Sequence, residues 1–206
     1  ALDPAPGNAF LRDFLEFAAP VIRAGIRSSL AQVLLKTVSP GVPDFYQGTE
    51  LWDLNLVDAD NRRPVDFARR RRLLETLGEP DADAVRRLLE EPEDGRIKLH
   101  VVRCALRYSR ERRPLFDLGD YLPLEARGPR ADHVCAFVRR HGATAALAVA
   151  GRFFLRLGGD GPAVWEGTEL VLPPSLRGTA WRDVFTGRTL ADREGTLALS
   201  EVLAVL

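Results

Sequence analysis

The sequence contains no methionine, and among its 206 residues it has two cysteines and two lysines. Cys104 and Cys135 lie in unlike contexts and lack the spacing of a metal site. We therefore favour buried free thiols over a disulfide. Free thiols fit a reducing cytoplasm, which is the location we expect. Because the chain begins Ala-Leu-Asp-Pro and has no methionine, we also expect it to be a piece of a longer protein.

Net charge and long apolar runs are lacking as well. Lysine and arginine together number 29, as do aspartate and glutamate, so the formal net charge is zero. A chain without excess charge is not steered electrostatically to nucleic acid or to an anionic membrane. No apolar run reaches the roughly 18 residues that a membrane span requires. We therefore expect no nucleic acid and no membrane among its partners.

Motifs for cofactors, metals and nucleophilic catalysis are also lacking. The three histidines, His100, His133 and His141, do not have the spacing of a zinc site or the partners of a catalytic triad. The sequence has no glycine-rich phosphate loop. We therefore predict no cofactor and no metal site.

The N-terminal half has the apolar periodicity of helices. Within residues 8–38, apolar residues recur every three or four positions, and Asn8 is the candidate N-cap. Pro20 interrupts this pattern, so two helices or one kinked helix both fit. Further helices are predicted at 65–77, from Pro80 to about Glu91, and from an Asp94 N-cap to Arg110.

A single very short strand is predicted in this half, at Phe45 and Tyr46. One strand leaves its backbone donors and acceptors unpaired, because a strand needs a neighbour. Residues 1–113 therefore look like part of a larger unit.

From Pro114 onward the pattern changes to short strands separated by glycine and proline turns, which is typical of an antiparallel sandwich. The predicted strands are 121–125, 133–138, 145–149, 153–157, 169–172, 181–184 and 196–199. A closing helical turn is predicted at 200–206. We therefore predict two domains, a mixed one at 1–113 and an all-β one at 114–206.

The loop at 41–66 combines carboxylates, aromatic rings and an arginine pair. A glycosidase needs two carboxylates roughly 5–10 Å apart, but acids in loops are more often solvated or cap helices. We interpret Asp66 as a helix cap. Arg62 and Arg63 could bind sugar hydroxyls or pair with Asp58 and Asp60, and both interpretations stay open.

Aromatic side chains could stack on sugar rings or fill a core. We assign Phe45 to the core, and Trp52 fits either role equally well. Trp165 and Trp181 in the second half could hold carbohydrate, although a packed core position is favoured for both.

Two stretches resemble a known family. Residues 39–52, Ser-Pro-Gly-Val-Pro-Asp-Phe-Tyr-Gln-Gly-Thr-Glu-Leu-Trp, resemble the eighth barrel strand and following loop of the α-amylase superfamily, glycoside hydrolase family 13. Residues 56–66, Leu-Val-Asp-Ala-Asp-Asn-Arg-Arg-Pro-Val-Asp, narrow this resemblance to the maltooligosyltrehalose synthases. Similar matches occur at 94–99, 128–134 and 181–187.

The resemblance implies a fold and an activity. The chain would be the C-terminal portion of such an enzyme: the last strand of a (β/α)8 barrel with its helices, followed by an antiparallel all-β domain. The family's activity is that of a (1->4)-α-D-glucan 1-α-D-glucosylmutase, an isomerase of trehalose biosynthesis. It converts the reducing-end α-1,4 bond of a maltooligosaccharide to an α,α-1,1 bond. Its three catalytic carboxylates come from strands four, five and seven, so we expect no catalytic residue in this chain and no activity of the chain alone.

The resemblance also implies a binding role for the loop, because the ends of barrel strands open onto the active-site face. The candidates for lining the reducing-end glucose site are Gln47, Trp52, Asp60, Asn61, Arg62 and Arg63. The expected partners are a maltooligosaccharide and the N-terminal catalytic barrel of the same protein. Helix faces that pack on that barrel would be exposed here, so self-association is also expected. The alternative is a non-catalytic β module that binds α-glucan or serves a structural role.

Overall fold

The computed structural model describes residues 7–55 and 60–205, with the side chain of Asp60 left out. In this part of the chain the helices are α1 (Ala9–Val38), α2 (Phe67–Thr76), α3 (Ala82–Glu90), α4 (Arg96–Glu111), α5 (Arg113–Leu118), α6 (Phe154–Leu157) and α7 (Leu199–Val202). The strands are β1 (Asp120–Pro123), β2 (Ala126–Arg127), β3 (Val134–His141), β4 (Thr144–Gly151), β5 (Glu169–Val171), β6 (Ala180–Arg182), β7 (Thr189–Ala191) and β8 (Thr196–Ala198). The helices thus dominate the first half and the strands the second, as predicted.

Helix α1 is one helix of 30 residues, about 45 Å long, so the single-helix alternative holds despite Pro20. Its predicted N-cap is confirmed, because the side chain of Asn8 accepts a hydrogen bond from the Leu11 N–H at 3.1 Å. The helix ends before Ser39. Its first buried residue is Leu30, so the N-terminal part of the helix projects from the packed body.

The next two helices begin at aspartate caps. Asp66 accepts from the Arg69 N–H at 2.7 Å, which confirms its structural role, and Asp81 accepts from the Ala84 N–H at 2.8 Å.

The prediction of Asp94 as the N-cap of α4 is wrong, because the cap is Gly95 at φ 83°. Asp94 ends a short 3-10 turn and accepts from the Arg96 N–H at 2.8 Å. Glycine adopts this left-handed conformation without strain, and a Cβ here would lie 3.1 Å from the Leu51 side chain. The start of α4 therefore packs directly against the 41–55 loop.

The strands pair antiparallel throughout the described residues, as predicted. They form three small sheets with the orders β1-β3-β4, β2-β5-β8 and β6-β7. The longest ladder joins β3 and β4, from Val134 opposite Gly151 to His141 opposite Thr144. The antiparallel sheets are thus confirmed, whereas their packing as a sandwich stays a prediction.

The predicted strand at 153–157 is wrong, because this segment forms helix α6. Phe154 packs against the β core and Leu157 is buried within it, whereas Phe153 and Leu155 are exposed. Burial at positions i and i+3 is helical, while a strand would bury alternate residues. The strand was predicted because apolar residues occur at the alternate positions 153, 155 and 157.

The interior consists of several apolar clusters. One fills the space between the small sheets and contains Trp165 and Trp181, so the core interpretation of both tryptophans is confirmed. A second joins α1, α3 and α4, with Phe45 and Trp52 packed against it. A third brings Val38 of α1 together with residues of α5, β3 and β4. The helical and β halves are therefore packed against each other.

Two buried side chains also connect the halves. His100 of α4 donates from Nε2 to the Phe185 carbonyl at 2.8 Å. Burial lowers the pKa of His100 and so favours its neutral form. Arg139 of β3 is 2% exposed and donates to carbonyls of α1, α5 and β1. Cys104 is buried and Cys135 half-buried, and both are free thiols.

Candidate functional site

The 41–55 loop leaves the C-terminal end of α1, turns at 47–50 and returns toward α4. Phe45 and Tyr46 do not belong to any ladder in the described part of the chain, so their role as a barrel strand stays a prediction. Phe45 is half-buried against the α1–α4 cluster, as its core interpretation requires. The loop is thus anchored by one aromatic side chain before its turn.

Glu50 and Arg70 fix the turn. Glu50 Oε2 accepts from the Gly48 N–H at 3.1 Å and from Arg70 Nε at 2.8 Å. The Arg70 guanidinium also donates to the carbonyls of Gly48 at 2.6 Å and Asp66 at 3.1 Å. Because this ion pair is only 18% and 29% exposed at its two side chains, it is better shielded than a surface pair. Arg70 therefore joins the turn to the N-terminus of α2.

Two lysines contact the same loop from the helices on either side. Lys36 of α1 donates to the Asp44 carbonyl at 2.8 Å, and its Nζ lies 3.9 Å from the centre of the Phe45 ring. Lys98 of α4 donates to the Leu51 carbonyl at 3.0 Å, and its Nζ lies 5.4 Å from the Trp52 ring.

Two of the predicted site residues lie in this loop, in different environments. Gln47 is exposed at the first position of the turn. Trp52 is half-buried, packs against the α1–α4 cluster and donates from its indole N–H to the Pro92 carbonyl at 2.6 Å. Both possible roles of Trp52 remain compatible with this position, because part of the ring is accessible.

The other four predicted residues lie together in sequence at a 3-10 turn, Asp60–Arg62, and just after it. Arg62 and Arg63 are exposed, and both already interact with other groups of the chain. Asn61 is half-buried, and its Oδ1 is buried with no hydrogen-bond partner among the described residues. The carboxylates of Asp58 and Asp60 lie outside the described part, so their pairing with these arginines stays a prediction.

Three of the described acids of the loop have structural partners for their carboxylates. Glu50 pairs with Arg70, Asp66 caps α2, and Asp53 accepts from the Asn55 N–H at 3.1 Å. These contacts fit the interpretation of loop acids as turn and cap residues rather than proton donors.

Sequence reasoning missed three residues that hold the loop: Arg70, Lys36 and Lys98. Arg70 is one of four consecutive arginines, at 69–72, in a helix whose position in the sequence does not show that this one side chain is mostly buried. The rarity of lysine was the available signal, since both lysines of the chain contact this one loop.

Within the described ranges, no three His, Cys, Asp or Glu side chains form a group that could hold a metal ion. No described helix combines the length and apolar character needed to cross a membrane.

Similar proteins match almost the whole chain. A Mycobacterium tuberculosis protein named as a maltooligosyl trehalose synthase is 40% identical over 178 residues, which is 86% of this chain and 20% of that protein. The structure of maltooligosyltrehalose synthase from Arthrobacter ramosus superimposes with a TM-score of 0.73 and 36% identity, covering 96% of this chain and 24% of that one. The structure of a Sulfolobus tokodaii hypothetical maltooligosyl trehalose synthase superimposes with a TM-score of 0.65 and 28% identity. This match covers 93% of the present chain and 22% of the Sulfolobus chain. No protein-family model matches the chain.

These matches cover nearly all of this chain but only one segment of each relative. It spans about a fifth of the length of the curated relatives it matches and just under a quarter of the solved structures. The chain is therefore similar, over nearly its whole length, to one part of the maltooligosyltrehalose synthases.

Proposed function

We propose that this chain is the C-terminal portion of a cytoplasmic maltooligosyltrehalose synthase and is inactive alone. Residues 1–113 form the last barrel strand with its helices, and residues 114–206 form the C-terminal β domain. The full-length enzyme moves the reducing-end glucose of a maltooligosaccharide from an α-1,4 to an α,α-1,1 linkage. A carboxylate nucleophile and an acid/base carboxylate perform this chemistry from parts of the barrel outside this chain.

The observation that carries this proposal is the 36–40% identity to maltooligosyltrehalose synthases along nearly the whole chain. Incubating the full-length protein with maltopentaose and separating the products tests it. We expect maltooligosyltrehalose as the main product. Glucose and shortened maltooligosaccharides without it would contradict the proposal.

The loop would line the site that holds the freed glucose. Its candidate residues are Gln47, Trp52, Asp60, Asn61, Arg62 and Arg63. The buried Asn61 Oδ1 supports this placement, since a buried acceptor without a partner costs about 1–3 kcal/mol. A donor from the substrate or from the rest of the enzyme would remove that cost.

The N-terminal half of α1 carries an apolar stripe that no other part of the described residues covers. Phe10, Phe14, Phe17 and Val21 recur at helical spacing and are between 45% and 72% exposed. Since the relatives are four to five times longer than the matched segment, we assign the remainder of the full-length enzyme as the partner that covers this stripe. The chain alone would instead self-associate through it.

Replacing Phe14 and Phe17 by glutamate tests this assignment. In the chain alone we expect less self-association and unchanged helix content, measured by analytical ultracentrifugation and circular dichroism. In the full-length enzyme we expect a lower melting temperature, because burying each phenylalanine contributes about 1.5–3 kcal/mol.

Arg12→Gln serves as the control, because Arg12 is exposed on the same helix. A full-length double variant as stable as the wild type would show that the stripe does not face the rest of the enzyme.

The alternative of an α-glucan-binding β module is less well supported. Trp165 and Trp181 are 5% and 9% exposed, so their ring faces are not available for stacking on sugars.

A further inference from the structure

Both lysines of this chain contact one nine-residue segment, residues 44–52, whereas the other basic residues are arginines. The two lysines come from different helices, Lys36 near the end of α1 and Lys98 near the start of α4. They approach opposite ends of the segment, with the 47–50 turn between them.

The two sets of contacts follow the same pattern. Each ammonium donates to the carbonyl of one residue and lies over the aromatic ring of the next residue. For Lys36 these are the Asp44 carbonyl and the Phe45 ring; for Lys98 they are the Leu51 carbonyl and the Trp52 ring. A carbonyl and a ring face both attract a cation, so each lysine fixes a backbone position and a ring position together.

A lysine ammonium suits these contacts because it is compact and has three donors on one nitrogen. The planar guanidinium of arginine is larger and directs its donors in one plane. At the buried position of Lys98 it would add volume to a packed interior.

The position of Lys98 is costly for folding. Lys98 is only 8% exposed. This burial, together with repulsion from Lys36, lowers the pKa of Lys98. Asp53 and Glu50 oppose this shift only from a distance, since no carboxylate within the described residues forms an ion pair with Lys98. An apolar side chain at this position would avoid this desolvation cost but would leave the Leu51 carbonyl without its donor.

We propose that Lys36 and Lys98 are positioning residues that hold both ends of the Asp44–Trp52 segment and so fix the turn that carries Gln47. This inference rests on the proposed function, in which the loop borders the site of the freed glucose. A loop held at both ends keeps its polar groups in hydrogen-bonding positions toward the sugar while the sugar reorients. A loosened loop admits water, which diverts the glycosyl-enzyme to hydrolysis.

The test is the product ratio of the full-length enzyme carrying Lys98→Met or Lys36→Met, with maltopentaose as substrate. We expect the share of free glucose relative to maltooligosyltrehalose to rise roughly tenfold in each variant, because small displacements of positioning groups have large effects. This ratio does not depend on the amount of folded enzyme, so a loss of stability does not change it. We also expect little change in the melting temperature of Lys98→Met, because removing the buried charge offsets the loss of the donor to the Leu51 carbonyl.

Two further variants serve as controls. Lys36→Arg retains a cation at an exposed position and should largely restore the wild-type ratio. Arg110→Met removes an exposed cation from the same helix as Lys98 and should leave the ratio unchanged. Hydrogen exchange of residues 44–52 should be faster in both methionine variants than in the wild type.

The outcomes separate the two proposals. If the wild-type enzyme forms maltooligosyltrehalose and both methionine variants keep its product ratio, the positioning role is overturned and the proposed function stands. If the wild-type enzyme forms none, the proposed function itself fails. Because Lys36 is exposed, its variant decides the question even if Lys98→Met does not fold.

Discussion

Replacing Arg139 by alanine is expected to lower the free energy of unfolding by about 3–5 kcal/mol. The guanidinium donates to the carbonyls of Val38 at 3.1 Å, Phe116 and Gly119 at 2.8 Å each, and Asp120 at 3.3 Å. Alanine would leave these oxygens without their donor and would open a cavity beside them. Each buried polar group that loses its partner costs about 1–3 kcal/mol.

The position of Arg139 also has an electrostatic basis. Val38 ends α1, and Phe116 and Gly119 lie at the end of α5, so the cation meets the negative ends of two helices. Its guanidinium carbon lies 5.9 Å from the Phe116 ring, which adds a cation–π contact. A single side chain of β3 therefore fixes α1 and α5 against the β half.

Urea unfolding of Arg139→Ala and of Arg140→Ala measures this contribution. Arg140 is the next residue of β3, is half-exposed and bonds to Ser175 Oγ at 3.1 Å, so its loss should cost less than about 1 kcal/mol. Arg139→Met fills more of the volume without supplying donors and should recover only a small part of the loss. Equal effects of the two alanine variants would show that Arg139 does not connect the halves.

In the full-length enzyme, Arg62→Ala is expected to lower synthase turnover or to raise the share of free glucose. A hydrogen bond from a charged donor contributes about 1.5–3 kcal/mol. If the hydrogen bond from Arg62 forms in the transition state, its loss lowers the rate roughly 10- to 100-fold. Arg62 is exposed in the loop that would border the freed glucose, and its forked donors suit a pair of sugar hydroxyls.

Steady-state kinetics and product analysis with maltopentaose test this expectation. Arg62→Lys keeps the charge but loses the fork and should remain impaired. Arg71→Ala is the control, because Arg71 is exposed on α2 and lies outside the proposed site. Wild-type rates and product ratio in Arg62→Ala would exclude Arg62 from the site.

Local patterns were sufficient for much of the fold. The Asn8 cap, the aspartate cap of α2 and the longest strands follow from neighbouring residues, and the structure has them. The apolar run at 153–157 was misassigned, because alternation by itself does not show which residues reach the core. The burial of Phe154 and Leu157 depends on a β core formed by distant strands.

The candidate site was predicted less completely, for the same reason. The loop motif pointed to Gln47 and Arg62, whereas Arg70 and Lys98 hold the loop over longer sequence distances. Lys98 contacts Leu51 across 47 positions, and Arg70 contacts Glu50 across 20. Such contacts are set by packing and leave no periodic trace in the sequence.

We propose that this chain supports the synthase reaction without containing its catalytic acids. The most direct test is a side-by-side assay of the purified chain and the full-length enzyme at equal molar concentration, with maltopentaose as substrate. We expect maltooligosyltrehalose from the full-length enzyme and none from the chain, a difference of roughly 10⁴-fold or more. Formation of maltooligosyltrehalose by the chain alone would contradict the claim.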